Sequence, residues 1–167
     1  MEYMRLNNGV ECPVIGIGTF MLSPEDAENS VREALRVGYR MVDTANAYVN
    51  ERACGRGMRD SGVDRGDVFV STKLWPTEYG NPDAVDETLE RLGLDYVDLL
   101  YIHQPAGDWM AGYRQLEKAY GDGKAKAIGI SNFEGVYLER LKAEWRSCPS
   151  SYRSRRTRTS RRRSSVK

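Results

Sequence analysis

The sequence has a single histidine, His103, and only three cysteines, Cys12, Cys54 and Cys148. The cysteines are odd in number and far apart, so they suggest neither a disulfide framework nor zinc-ligand spacing. They fit reduced thiols, and a cytoplasmic location is expected. No run approaches the ~20 apolar residues of a membrane helix. No apolar segment follows a basic start, so no signal peptide is expected. Gly16-Ile17-Gly18 continues as Thr19-Phe20-Met21, without the third glycine of a dinucleotide-binding fingerprint, and no P-loop is present. Acid is missing from one segment. Residues 146–167 hold eight arginines, one lysine and no carboxylate, a charge of +9. With an overall net charge of +1, the rest of the chain carries −8. The chain therefore divides into an acidic body, 1–145, and a basic Ser/Arg-rich tail, 146–167.

The body has the composition of a globular domain and a regular pattern. Asn7-Asn8-Gly9, between Tyr3–Leu6 and Val10–Cys12, predicts a short hairpin. Apolar strands are expected at 13–20, 39–43, 68–75, 97–105 and 125–133. Helices should follow them at 23–35, 51–59, 81–92, 109–120 and 134–143. Ser23-Pro24-Glu25-Asp26 is good helix-start chemistry, and Gly38, Gly62, Gly93 and Gly121 are good stops. Strand starts recur every 25–29 residues. Nearly all-apolar strands alternating with helices indicate a parallel sheet covered by helices. A doubly wound sheet and a TIM (β/α)8-type barrel both satisfy this. The regular repeat and the gathering of polar residues at strand C-terminal ends favour the barrel.

Those polar ends could carry chemistry. Asp43 ends the second strand and Tyr48 follows five residues on. Lys73 ends the third strand, His103 the fourth, and Ser131-Asn132 the fifth. Taken singly, each has a bland reading: a strand-end aspartate as a turn residue, a lysine as a solvated cation, a histidine as a structural residue, a tyrosine as packing. Together at one barrel mouth they form a proton donor. A free phenol has a pKa near 10. A neighbouring ammonium favours phenolate, so the phenol can deliver a proton near neutral pH. Asp43 would hold Lys73 charged and in place, and His103 would orient a carbonyl. This suits carbonyl reduction with hydride from a nicotinamide. Phe20, Trp75 and Trp109 lie just beyond strand ends, where aromatics can wall a substrate pocket or simply pack.

Several long motifs occur in a familiar order: GIGTF (16–20), GYRMVDTANAYVNE (38–51), STKLW (71–75), LDYVDLLYIHQP (94–105) and GKAKAIGISNF (123–133). In these the chain resembles the aldo-keto reductase family over roughly residues 3–143. His-Gln-Pro followed by Gly107-Asp108 is most similar to the bacterial branch that includes the 2,5-diketo-gluconate reductases. The resemblance implies an eight-stranded barrel with a preceding hairpin, NADPH (NADP) as cofactor and a small-molecule carbonyl as substrate. It implies Asp43, Tyr48, Lys73 and His103 as catalytic residues. Gly18, Thr19, Asp43, Ser131 and Asn132 match positions at the cofactor. Phe20, Tyr48, Trp75, His103 and Trp109 match positions around the substrate.

The family pattern stops near Ala143. Its later strand–helix units, with the pyrophosphate and 2′-phosphate sites, have no counterpart here, so a partial barrel of about five units is expected. The abrupt change of composition suggests a shifted reading frame, and the tail is expected to be disordered. Alternative roles are a non-catalytic partial barrel, or nucleic-acid binding through the tail. Open sheet edges would also offer a route to self-association.

Overall fold

The computed structural model describes residues 1–153. Strands β1 (Tyr3–Arg5) and β2 (Glu11–Pro13) pair antiparallel as the expected hairpin. Gly9 takes φ +90°, and Leu6 N–H donates to the Val10 carbonyl at 2.8 Å. The two turn asparagines also reach outward. The Asn8 side chain donates to Lys126 O (2.9 Å) and that of Asn7 to Pro149 O (3.0 Å). The hairpin is thereby fastened across the ends of later strands.

Six parallel strands follow in one sheet: β3 (Ile17–Gly18), β4 (Met41–Asp43), β5 (Phe69–Leu74), β6 (Leu99–Ile102), β7 (Ile128–Ser131) and β8 (Ser151–Arg153). Their spatial order is their chain order. A doubly wound sheet reverses its strand order at a switch point. No reversal occurs here, and the sheet is an arc of a (β/α)8 barrel. Helices α1 (Pro24–Arg36), α2 (Glu51–Ser61), α3 (Ala84–Leu92), α4 (Trp109–Gly121) and α5 (Val136–Glu144) join successive strands. Ser23 Oγ caps α1 by accepting from Asp26 N–H at 3.1 Å. Gly62 and Gly93 end α2 and α3 in left-handed conformation, at φ +76° and +67°. None of the described helices is long and apolar enough to cross a membrane.

Period-two alternation along the strands separates two interiors. Val42, Val70, Leu74, Leu100, Ile102, Ile128 and Ile130 face outward and pack with the helices in the larger core. Met41, Phe69, Leu99, Tyr101 and Ala127 face inward, where Leu6, Val10 and Cys12 of the hairpin close the bottom. Burial pushes the Cys12 thiol up to about 11, so it stays protonated at neutral pH. Farther up the inward face lie Asp43, Ser71, Lys73, His103 and Ser131. The same alternation thus fills the bottom of the arc with apolar groups and the top with polar ones.

Helix α2 approaches the end of α3 so closely that only glycine fits at position 55. A Cβ there would collide with the Leu92 carbonyl. Gly55→Ala should lose about 3 kcal/mol, measured by urea denaturation.

Two expectations about extent change. The strand expected at 13–20 shrinks to Ile17–Gly18, because Pro13 is already paired with Tyr3 in the hairpin. Part of the tail expected to be disordered from residue 146 is ordered, since Ser151–Arg153 form β8. Its backbone explains this: Arg146 and Ser147 N–H both donate to Glu117 Oε1 (2.6 and 2.7 Å), and Ser150 N–H to Ile128 O (2.6 Å). An unpaired strand edge accepts a neighbour through main-chain groups, whatever the side chains. The open edges of the described sheet are accordingly β3 and β8. Residues 154–167, and with them most of the expected basic tail, lie outside the described residues.

Candidate active site

At the C-terminal ends of the strands is a cavity of about 380 Å³ lined by Gly18, Phe20, Asp43, Tyr48, Lys73, His103, Ser131 and Asn132. Each residue arrives there by register. Asp43, the last residue of β4, pairs with Ser71 of β5; two residues on, Lys73 points to the same face. His103 follows β6, and its N–H donates to Leu74 O (3.0 Å), which fixes its height. Tyr48 ends a short 3-10 turn, Asn46–Tyr48, which leads from β4 toward α2.

The electrostatic centre is Lys73, only 1% exposed. Its ammonium donates to both Asp43 oxygens (2.8 and 2.9 Å) and to Thr44 O (2.7 Å). Ser71 Oγ donates to Asp43 Oδ1 at 2.6 Å. A buried cation needs such partners, because desolvation costs several kcal/mol per ion. Lys73 Nζ lies 5.3 Å from the centre of the Tyr48 ring. The Tyr48 ring is also 5.0 Å from Phe20 and 5.9 Å from His103, and the indole of Trp75 meets His103 edge-on at 4.8 Å. Asp43, Tyr48, Lys73 and His103 therefore share one small space.

The opposite wall is Ser131 and Asn132. Asn132 adopts φ +64° and donates through Nδ2 to His103 O (2.9 Å) and Ser131 Oγ (3.1 Å). Asparagine tolerates this left-handed conformation better than most residues. Across the cavity, a Cβ on Gly18 would meet nothing within 4 Å, so the wall there is open.

Not every expected residue lines the cavity; Trp75 stands behind His103, which does. Trp109 does not: it starts α4, is 4% exposed and packs edge-on to Phe133 (5.1 Å) and Tyr137 (6.3 Å). Asp108 caps this helix by accepting from Ala111 N–H (3.1 Å), and the indole lies against Tyr137 of α5. Thr19 is fully buried; its N–H donates to Asp43 O and its Oγ1 to Asn50 Oδ1. Other contributors escape strand-end reasoning. Thr44 offers only a carbonyl, and Asn46 Oδ1 accepts from Trp75 N–H (2.9 Å). Ser71 was legible, since period two puts it on the face of Lys73.

Beneath the site, Glu51 opens α2 at 2% exposure. It accepts from Thr72 Oγ1 (2.7 Å) and Arg91 Nε (2.8 Å), which ties β5 to α2 and α3. Burial raises its pKa, against the opposing pull of these two partners.

The sequence profile described as the Aldo/keto reductase family matches residues 14–159. Morphine 6-dehydrogenase of Pseudomonas putida is 47% identical over 144 residues, covering 83% of this chain and 49% of that protein. Glyoxal reductase of Bacillus subtilis is 44% identical over 145 residues, covering 84% and 52%. Among solved structures, an aldo/keto reductase from Brucella melitensis superposes with a TM-score of 0.87 at 38% identity, over 92% of this chain and 62% of that one. A Bombyx mori aldo-keto reductase in complex with NADP gives 0.85 at 30%, over 92% and 57%. The chain spans about half the length of the curated relatives it matches.

Proposed function

The chain belongs to the aldo/keto reductase family, and we propose that it carries the proton-delivering half of an NADPH-dependent carbonyl reductase. The observation that carries the reading is the buried Asp43–Lys73 pair set beneath Tyr48 and beside His103. The substrate is an aldehyde or ketone and the product an alcohol.

Tyr48 is the proton donor in this reading. The Lys73 ammonium stabilises the phenolate left behind, and Asp43 keeps that ammonium fixed. His103 donates a hydrogen bond to the carbonyl oxygen and so fixes its angle to Tyr48. Ser131 and Asn132 would hold the nicotinamide carboxamide, with Asp43 beneath and the open side of Gly18 leaving room. Thr19, which does not reach the cavity, supports the cofactor position from behind. Bound NADPH supplies the hydride. Phe20 and Trp75 wall the substrate, and Trp109 acts through packing alone. In this reading every site residue lies within residues 1–145, and strand β8 beyond them flanks Ser131.

The reading is tested by following NADPH absorbance while the purified chain is offered small aldehydes and ketones, glyoxal among them. Protein-dependent loss of absorbance is expected. No loss with any carbonyl would leave a non-catalytic partial barrel as the better description.

A further inference from the structure

Asn50 lies between Tyr48 and α2, is 1% exposed and does not touch the cavity. Its amide is nevertheless heavily used. Nδ2 donates to Thr19 O (2.9 Å) and Leu22 O (3.2 Å). Oδ1 accepts from Thr44 Oγ1 (3.1 Å) and Thr19 Oγ1 (3.3 Å), with Cys54 Sγ at 3.8 Å. Burial raises the Cys54 pKa and keeps it a thiol. One side chain thereby joins the loop after β3, the end of β4 and the first turn of α2.

Both principal partners bear on the site. Thr44 gives its carbonyl to Lys73 Nζ. Thr19 holds the Asp43 carbonyl through its N–H (3.0 Å) and precedes Phe20, whose ring rests on Tyr48. The ionisable groups around Tyr48 are Asp43 from β4, Lys73 from β5 and His103 after β6. Asn50 is neutral, so removing it changes where these groups sit and adds no charge. Networks of this kind rigidify only when every member is satisfied.

We propose that Asn50 is a positioning residue: by holding Thr44 and Thr19 it seats the Lys73 ammonium against Tyr48 and so sets the acidity of that phenol. This rests on the reading of Tyr48 as proton donor, but its test does not require turnover. The ten tyrosines are labelled with 13C at the ring carbon bearing oxygen and titrated by NMR, and Tyr48 is assigned by its loss in Tyr48→Phe. In Asn50→Ala the Tyr48 midpoint should rise by about one pH unit, with the other nine tyrosines unmoved. Thr44→Val, which deletes the link to Asn50 and the weak contact with Cys54 but keeps the carbonyl, should move it the same way by less. An unmoved Tyr48 midpoint in folded Asn50→Ala overturns the proposal. Should that variant fail to fold, an unmoved midpoint in Thr44→Val overturns it. The proton-donor reading fails separately, if Tyr48 of the unmodified chain titrates at or above the free-phenol value of about 10.

Discussion

Tyr48→Phe should cut NADPH-dependent carbonyl reduction by at least about 100-fold, the usual contribution of a positioned general acid. The substitution keeps the ring, and with it the packing on Phe20 and the edge contact with His103. Only the hydroxyl is lost. The folded state should therefore change by less than about 1 kcal/mol, and the thermal midpoint serves as the control. Steady-state kinetics at saturating NADPH should show the loss mainly in kcat, because proton transfer belongs to the transition state and not to substrate binding. An unaffected rate would remove Tyr48 from its role.

Lys73→Met has the larger structural effect. The side chain is nearly the same length, but Asp43 loses its cation. Breaking one partner of a buried pair costs about 3–5 kcal/mol, since a charge is left uncompensated. Here Ser71 Oγ still donates to Asp43 (2.6 Å), and the Asp43 side chain keeps 14% exposure. These soften the loss, and about 3 kcal/mol is expected in urea denaturation. The double replacement Asp43→Asn with Lys73→Met removes both charges and should recover part of that stability. It should recover none of the reduction rate, because no ammonium then stands beneath Tyr48. Equal stability of the single variant and the unmodified chain would mean that the pair is not buried as described.

Much of this was legible from the residues. Along 69–74 the alternation of Val70, Thr72 and Leu74 with Phe69, Ser71 and Lys73 announces a strand with two different faces, and period two fixes which three point inward. Once strands are parallel and in register, Asp43, Lys73, His103 and Ser131 must meet at one end. Three features were not legible. Strand β8 forms from Ser151–Arg153 because the edge of β7 pairs through its backbone, and backbone pairing leaves no mark in composition. Trp109 opens an expected helix just after a strand end, where an indole can wall a pocket or pack, and only its contacts with Phe133 and Tyr137 show that it packs. Asn50 sits between Val49 and Glu51 with no periodicity to single it out. Its proposed role rests on Thr44 and on Thr19, the latter 31 residues away. Long-range polar pairing of that kind is invisible to any local pattern.

In the proposed reading this partial barrel presents a nicotinamide-competent cavity beneath Gly18, Ser131 and Asn132. Trp75 does not line that cavity but packs edge-on against His103, which does, and it gives the most direct measurement. Its fluorescence is followed as NADPH is added, with Trp75→Phe as the control for the buried Trp109 and for Trp145. Saturable quenching that disappears in Trp75→Phe is expected. No quenching at millimolar NADPH, or quenching that persists unchanged in Trp75→Phe, would contradict it.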